Sequence, residues 1–122
     1  MPDWTVRIVP ASTGGAKFSP SALQTQQDDL VIWNNTTNET HQPWPTDDEY
    51  NPLDVSRTSD QYLSDEIPAG RSSRPSYDVA QPSGTPANWT VYYYCATHPE
   101  RTNERGVILA QETPVTPAET DS

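Results

Sequence analysis

An all-β fold is the class this sequence predicts, and three observations predict it. Thirteen prolines are spread through 122 residues, and proline removes a backbone donor and clashes inside a helix. Trp4, Val6 and Ile8 alternate with Thr5 and Arg7, the period of two that marks a half-buried strand. The run Val91-Tyr92-Tyr93-Tyr94 joins β-branched to aromatic side chains, which suit a pleated surface. A chain of this length fits one domain with a modest core.

In chain order, Trp4–Ile8 is the first expected strand and the stretch from Pro10 to Gly15 a turn. Phe18–Gln24 is a second strand, and Pro20 puts it at a sheet edge or bulge. Leu30-Val31-Ile32-Trp33 is the strongest central strand; it ends in the polar turn cluster Asn34 to Asn38. His41 to Ser59 has little periodicity and much Pro, Asp and Asn, which predicts a long loop with at most one helical turn. Tyr62–Ile67 is a loosely paired stretch and Pro68-Ala69-Gly70 a turn. Pro75–Ala80, Trp89–Cys95 and Gly106–Ala110 complete the strands, the first two separated by the Pro-rich turn from Gln81 to Pro86. Residues 1–111 are thus expected to form the domain. Residues 112–122, rich in Pro, Thr and acid, bury almost nothing and are expected to be a disordered tail.

Seven basic side chains against 17 acidic ones give a formal charge of −10. Such a surface repels nucleic-acid phosphates and anionic membranes. It suits a basic protein partner or a cation, and equally serves plain solubility. No apolar stretch approaches the roughly 20 residues that a membrane span needs. The start Met1-Pro2-Asp3-Trp4 has neither the basic nor the apolar part of a secretion signal, which leaves open a signal or anchor removed ahead of it. The single cysteine, Cys95, allows no disulfide within the chain.

Cys95-Ala96-Thr97-His98 stands where a strong strand gives way to a proline-containing turn, so both side chains can converge on one point. A soft thiolate beside a borderline imidazole suits copper or zinc far better than magnesium or calcium. By itself the pair has an ordinary alternative, a buried thiol next to a surface histidine. His41, the other of the two histidines, follows a central apolar strand. If the strands ending at Trp33 and Tyr94 run the same way, His41 meets Cys95 and His98 at one pole. Zinc normally takes a fourth ligand, whereas two His and one Cys make the trigonal copper set.

In these residues the chain resembles the cupredoxins, the blue copper proteins related to plastocyanin, amicyanin and azurin, over roughly residues 17–111. The first half of the resemblance is Phe18-Ser19-Pro20, Leu23, Asp29, Val31, Trp33 and Asn35, followed by His41. The second half is Ile67-Pro68-Ala69-Gly70, then Tyr92-Tyr93-Tyr94-Cys95-Ala96-Thr97-His98-Pro99, then Gly106-Val107-Ile108-Leu109. The resemblance implies an eight-stranded Greek-key sandwich. It also implies one copper ion held by His41, Cys95 and His98, a periplasmic or extracellular setting, and single-electron exchange with a redox protein by a monomer.

Two departures bear on that expectation. The family's weak axial methionine is missing, since the one methionine is Met1. Counting back from Gly106 puts Glu104 in its place, and counting forward from His98 puts Arg101 there. Protonated arginine cannot ligate and would leave the position open. Glu104 is either a hard, anionic ligand that favours Cu(II) or a solvated surface acid. An open position would admit peroxide, nitrite or another small ligand, which keeps a copper enzyme or sensor as an alternative, alongside a copper carrier. The second departure is Gln42, where the family commonly has an asparagine that ties the ligand loops together. The backbone N–H at this position is the expected donor to the Cys95 sulfur.

Four further expectations follow from position. The exposed edge of His98 is the route for electrons. Trp44, in Pro43-Trp44-Pro45, lies over the site or packs on the end of the sandwich. Trp33 and Trp89 are core, and Tyr93 faces the side opposite Tyr92 and Tyr94. Asp47-Asp48-Glu49 either steers a basic partner or is a solvated loop.

Overall fold

The computed structural model describes residues 3–111 apart from 13, 75, 82, 83, 85, 99 and 102. The expected tail, 112–122, and Met1 lie outside the described residues. Eight strands are present among the described residues: β1 (Asp3–Pro10), β2 (Ala16–Ser19), β3 (Ala22–Gln26), β4 (Leu30–Asn35), β5 (Pro43–Thr46), β6 (Tyr77–Asp78), β7 (Asn88–Cys95) and β8 (Arg105–Gln111). They form two four-stranded sheets, ordered β2-β1-β4-β6 and β3-β8-β7-β5. Both sheets are mixed: β1 runs parallel to β4 and β3 parallel to β8, and the remaining pairs are antiparallel. No helix among the described residues is long and apolar enough to cross a membrane.

The alternation read from the sequence is what separates core from surface. Val6 and Ile8 of β1, Val31 and Trp33 of β4, and Leu23, Val91, Tyr93 and Ile108 of the other sheet are all buried. Three rings lock the layers together. Tyr93 of β7 meets Phe18 of β2 edge-on at 4.7 Å between centroids, and Trp33 of β4 at 5.4 Å. Aromatic side chains of this size remove on the order of 200 Å² each from water, a gross gain of about 5 kcal/mol apiece at ~25 cal/mol per Å². Gly106 makes the packing possible: a Cβ there would stand 2.5 Å from the Tyr93 ring. Trp33 and Trp89 are core, as expected.

Four expectations need correction. The strand expected over Phe18–Gln24 is two strands in different sheets, with Pro20 between them; proline cannot donate to a ladder, so pairing is interrupted and the chain changes sheet there. The long loop after His41 contains β5, which pairs Pro43–Thr46 with Cys95–Tyr92. Pro43 and Pro45 are accommodated because β5 is an edge strand. The strand expected over residues 75–80 is reduced to Tyr77–Asp78, with residue 75 outside the described set. In the Tyr62–Ile67 stretch only Ile67 pairs, as an isolated bridge to His41.

Candidate metal centre

His41 reaches the end of the sandwich because β4 and its backbone partners carry it there. Its N–H donates to the Ile67 carbonyl at 3.1 Å, and its own carbonyl accepts from the Ile67 N–H at 2.7 Å. Asn35, the last residue of β4, is fully buried. Its amide donates to the carbonyls of Glu39 at 2.6 Å and Ile67 at 2.9 Å, and its oxygen accepts the Thr37 N–H at 2.9 Å. The polar turn ahead of His41 is thereby folded back on the strand it leaves.

Cys95 ends β7, and the loop after it closes through successive turns. The N–H groups of His98, Arg101 and Glu104 donate to the carbonyls of Cys95, His98 and Arg101, and the Cys95 N–H returns to the Glu104 carbonyl at 3.0 Å. Two bonds fasten this loop to the His41 side. The Ala96 N–H donates to the Gln42 carbonyl at 2.8 Å, and the Thr97 hydroxyl donates to the Thr40 carbonyl at 3.1 Å.

These elements bring four donors together. His41 Nδ1 stands 3.3 Å from Cys95 Sγ, which stands 3.6 Å from His98 Nδ1. Glu104 Oε1 lies 3.1 Å from His98 Nδ1 and 3.6 Å from His41 Nδ1. All four ligand-capable atoms lie within 4.8 Å of one another. A metal with N, O and S donors at roughly 2.0–2.3 Å needs them about 3.3–3.6 Å apart in a tetrahedral arrangement, and the 3.1–3.6 Å separations above are close to that. His41, Cys95 and Glu104 are buried, and His98 keeps 17% of its side chain exposed.

Glu104 is 1% exposed, which removes the reading of it as a solvated surface acid. Its Oε2 accepts from the Ala16 N–H at 2.9 Å and from Arg101 Nη1 at 3.0 Å, leaving Oε1 toward the other donors. Arg101 turns to Glu104 and Glu39, at 2.9 Å from the latter, so of the two residues reached by the counts it is Glu104 that presents a free oxygen to the other donors.

Burial shapes the free donors. It pushes the His41 imidazole below its ordinary pKa, with Glu104 pulling the other way. It pushes the Cys95 thiol up, opposed by hydrogen bonds from Thr97 and from the Gln42 backbone. The Gln42 backbone joins the ligand loop by accepting the Ala96 N–H at 2.8 Å. Its side chain, however, donates to the Ser64 carbonyl at 3.0 Å rather than to the second ligand loop. That cross-tie belongs to Thr97 instead, whose hydroxyl also lies 2.8 Å from Cys95 Sγ.

Trp44 lies beside Tyr94 across the β5–β7 ladder. Its indole N–H donates to the Leu53 carbonyl at 2.8 Å and its ring meets Tyr62 edge-on, so its partners are in the long loop and not among the four donors. Asp47 caps a turn by accepting the N–H groups of Glu49 and Asn51; these bonds, that from Asn51 first, hold its carboxyl below the ordinary value. Asp48 and Glu49 remain exposed. Arg101, Glu39, Ala16 and Thr97 are the supporting residues that motif reading missed, because their roles come from tertiary contacts. The one sequence signal among them was the count that brought Arg101 near the axial place.

Compared by sequence, the chain matches no protein-family model and no curated protein. Its fold is that of several solved structures. A purple cupredoxin from Nitrosopumilus maritimus superposes with a TM-score of 0.67 at 18% identity, covering 89% of this chain and 100% of that one. A plastocyanin in its oxidized form from Dryopteris crassirhizoma gives 0.57 at 16% identity, over 88% and 99% of the two chains. A reduced amicyanin variant gives 0.59 at 16%, over 89% and 82%. The chain therefore has the cupredoxin fold, and the sandwich expected from the sequence is correct.

Proposed function

We propose that this chain is a mononuclear copper protein that passes single electrons, and that His41, Cys95, His98 and Glu104 would hold the ion. The observation that carries the reading is the meeting of a thiol, two imidazole Nδ1 atoms and a buried carboxylate oxygen at one end of a cupredoxin-fold sandwich. A bound copper ion supplies one-electron chemistry between Cu(II) and Cu(I). The chain supplies rigidity. Cys95 and His41 are fixed on strand ends and paired backbone, so their donor atoms change little in position between oxidation states. The polar groups of Thr97 and Gln42 around Cys95 oppose the rise that burial gives its thiol and so limit its basicity. His98 carries the one partly exposed ligand edge, which supports it as the point where electrons enter and leave. The acidic surface supports a basic redox partner, and a periplasmic or extracellular setting belongs to the same reading.

Burial of Glu104 supports a filled fourth position over an open one, and so favours an electron carrier over a copper enzyme or sensor that binds small molecules. The same burial favours one competitor: a closed set of four N, S and O donors is also a zinc site. Metal competition separates the two. Adding one equivalent of Cu(II) to the metal-free protein is expected to produce an intense thiolate-to-copper absorption that vanishes on reduction and is absent from Cys95→Ser. A protein that gives no such band, and that retains zinc against excess copper, contradicts the proposal.

A further inference from the structure

We infer that Arg101 is a positioning residue that divides the labour of the Glu104 carboxylate, occupying Oε2 so that only Oε1 faces the metal and the donor stays weak. The inference rests on Glu104 being the fourth donor, as proposed above. Two segments of the fold converge on Oε2, Gly15-Ala16 at the start of β2 and Arg101 in the ligand loop. The Ala16 N–H donates to it at 2.9 Å, from the start of β2. Arg101 Nη1 donates to it at 3.0 Å, from within the ligand loop. Gly15, at φ 70°, lies so close that an added Cβ would stand 2.9 Å from Oε2 and 3.2 Å from the Arg101 Cδ. Glycine at a positive φ lets the backbone close over the carboxylate where any other side chain would be strained and displace it.

Oε1 has the opposite surroundings. It faces His98 Nδ1 at 3.1 Å and His41 Nδ1 at 3.6 Å, and it has no arginine on it. A carboxylate whose second oxygen is held by two donors cannot turn to chelate, so it offers one oxygen. Arg101 is itself held from behind, since the Nη1 that meets Glu104 also lies 2.9 Å from Glu39 Oε1. A charge-assisted bond to one oxygen draws negative charge away from the other. The chemical consequence concerns oxidation state. An unrestrained carboxylate is a hard anion that favours Cu(II) strongly; with Arg101 in place the site remains reducible.

The test is a double-mutant cycle on the copper-loaded protein, read by reduction potential and by the position of the thiolate-to-copper band. Outer-shell partners of metal ligands are worth roughly 10- to 100-fold in metal affinity. Arg101→Gln is therefore expected to raise the preference for Cu(II) over Cu(I) by about that factor, a fall of about 60–120 mV at ~59 mV per tenfold for one electron. On a Glu104→Gln background the same substitution is expected to change the preference less than about threefold, because the arginine acts through the carboxylate. Arg101→Lys keeps the charge but loses the planar fork, and is expected to shift the potential in the same direction by less. Should Arg101→Gln not fold, Arg101→Lys with and without Glu104→Gln carries the same comparison. Equal shifts on both backgrounds, or no shift in a protein with a normal band, overturn the inference and leave the copper reading standing. A wild-type protein without the band overturns the copper reading and this inference with it.

Discussion

The two sides of the site are held in different ways. His41 is anchored by chain that is remote in sequence: Ile67 pairs with its backbone in both directions, and Asn35 ties the preceding turn to the Ile67 carbonyl. The Cys95–Glu104 loop takes its internal shape from consecutive turns that return Glu104 to Cys95, and it meets remote chain mainly through side chains, those of Thr97, Arg101 and Glu104. One side is thus held by paired backbone of the sandwich, and the other by its own turns with side-chain ties to the rest of the chain. The lesson is that the first should fail together with the fold, whereas the second can be perturbed while the sandwich survives.

Asn35→Ala is the strongest way to break that comparison. It removes the amide that donates to the carbonyls of Glu39 and Ile67 and the oxygen that accepts the Thr37 N–H, at roughly 0.5–1.5 kcal/mol for each hydrogen bond lost. Chemical denaturation of the metal-free protein is expected to show a loss of about 3 kcal/mol, with metal affinity falling in step. Gly106→Ala comes next. Its Cβ meets the Tyr93 ring at 2.5 Å, and overpacking of this kind costs about 1–3 kcal/mol. Because Gly106 joins the ligand loop to the core, its loss of about 2 kcal/mol is expected to be accompanied by a shifted absorption band. Thr97→Val has the smallest effect on stability and sharpens the contrast most. It removes the hydroxyl that crosses from one loop to the Thr40 carbonyl and touches Cys95 Sγ. About 1 kcal/mol of stability is expected to be lost, with a spectral change out of proportion to it. An unchanged spectrum would mean that the ligand loop holds its geometry without the cross-tie.

How far the sequence could be read follows the same division. The central strands were legible because Leu30-Val31-Ile32-Trp33 is a short apolar run closed by a polar turn, and Val91 to Tyr94 joins β-branched to aromatic side chains. His41, Cys95 and His98 were legible because few other residues offer soft donors. β5 was hidden, since Pro43 and Pro45 argue against a strand unless it is known to lie at an edge. The split at Pro20 was hidden because a change of sheet leaves no periodic trace. Glu104 could be found by counting back from Gly106, but its burial could not. The groups that bury it, Gly15 and the Ala16 N–H, lie 88 residues or more away in sequence, and local pattern carries no information on such contacts. The Arg101–Glu39 pair and the Gln42 link to Ser64 were out of reach for the same reason.

The central claim, that His41, Cys95, His98 and Glu104 share one metal ion, is tested most directly by X-ray absorption at the copper edge of the protein loaded with one equivalent of Cu(II), recorded with and without Glu104→Gln. The expected first coordination sphere holds one sulfur, two imidazole nitrogens and one oxygen, and the oxygen contribution weakens in the variant. A sphere without sulfur, or one identical in the two proteins, would contradict the account.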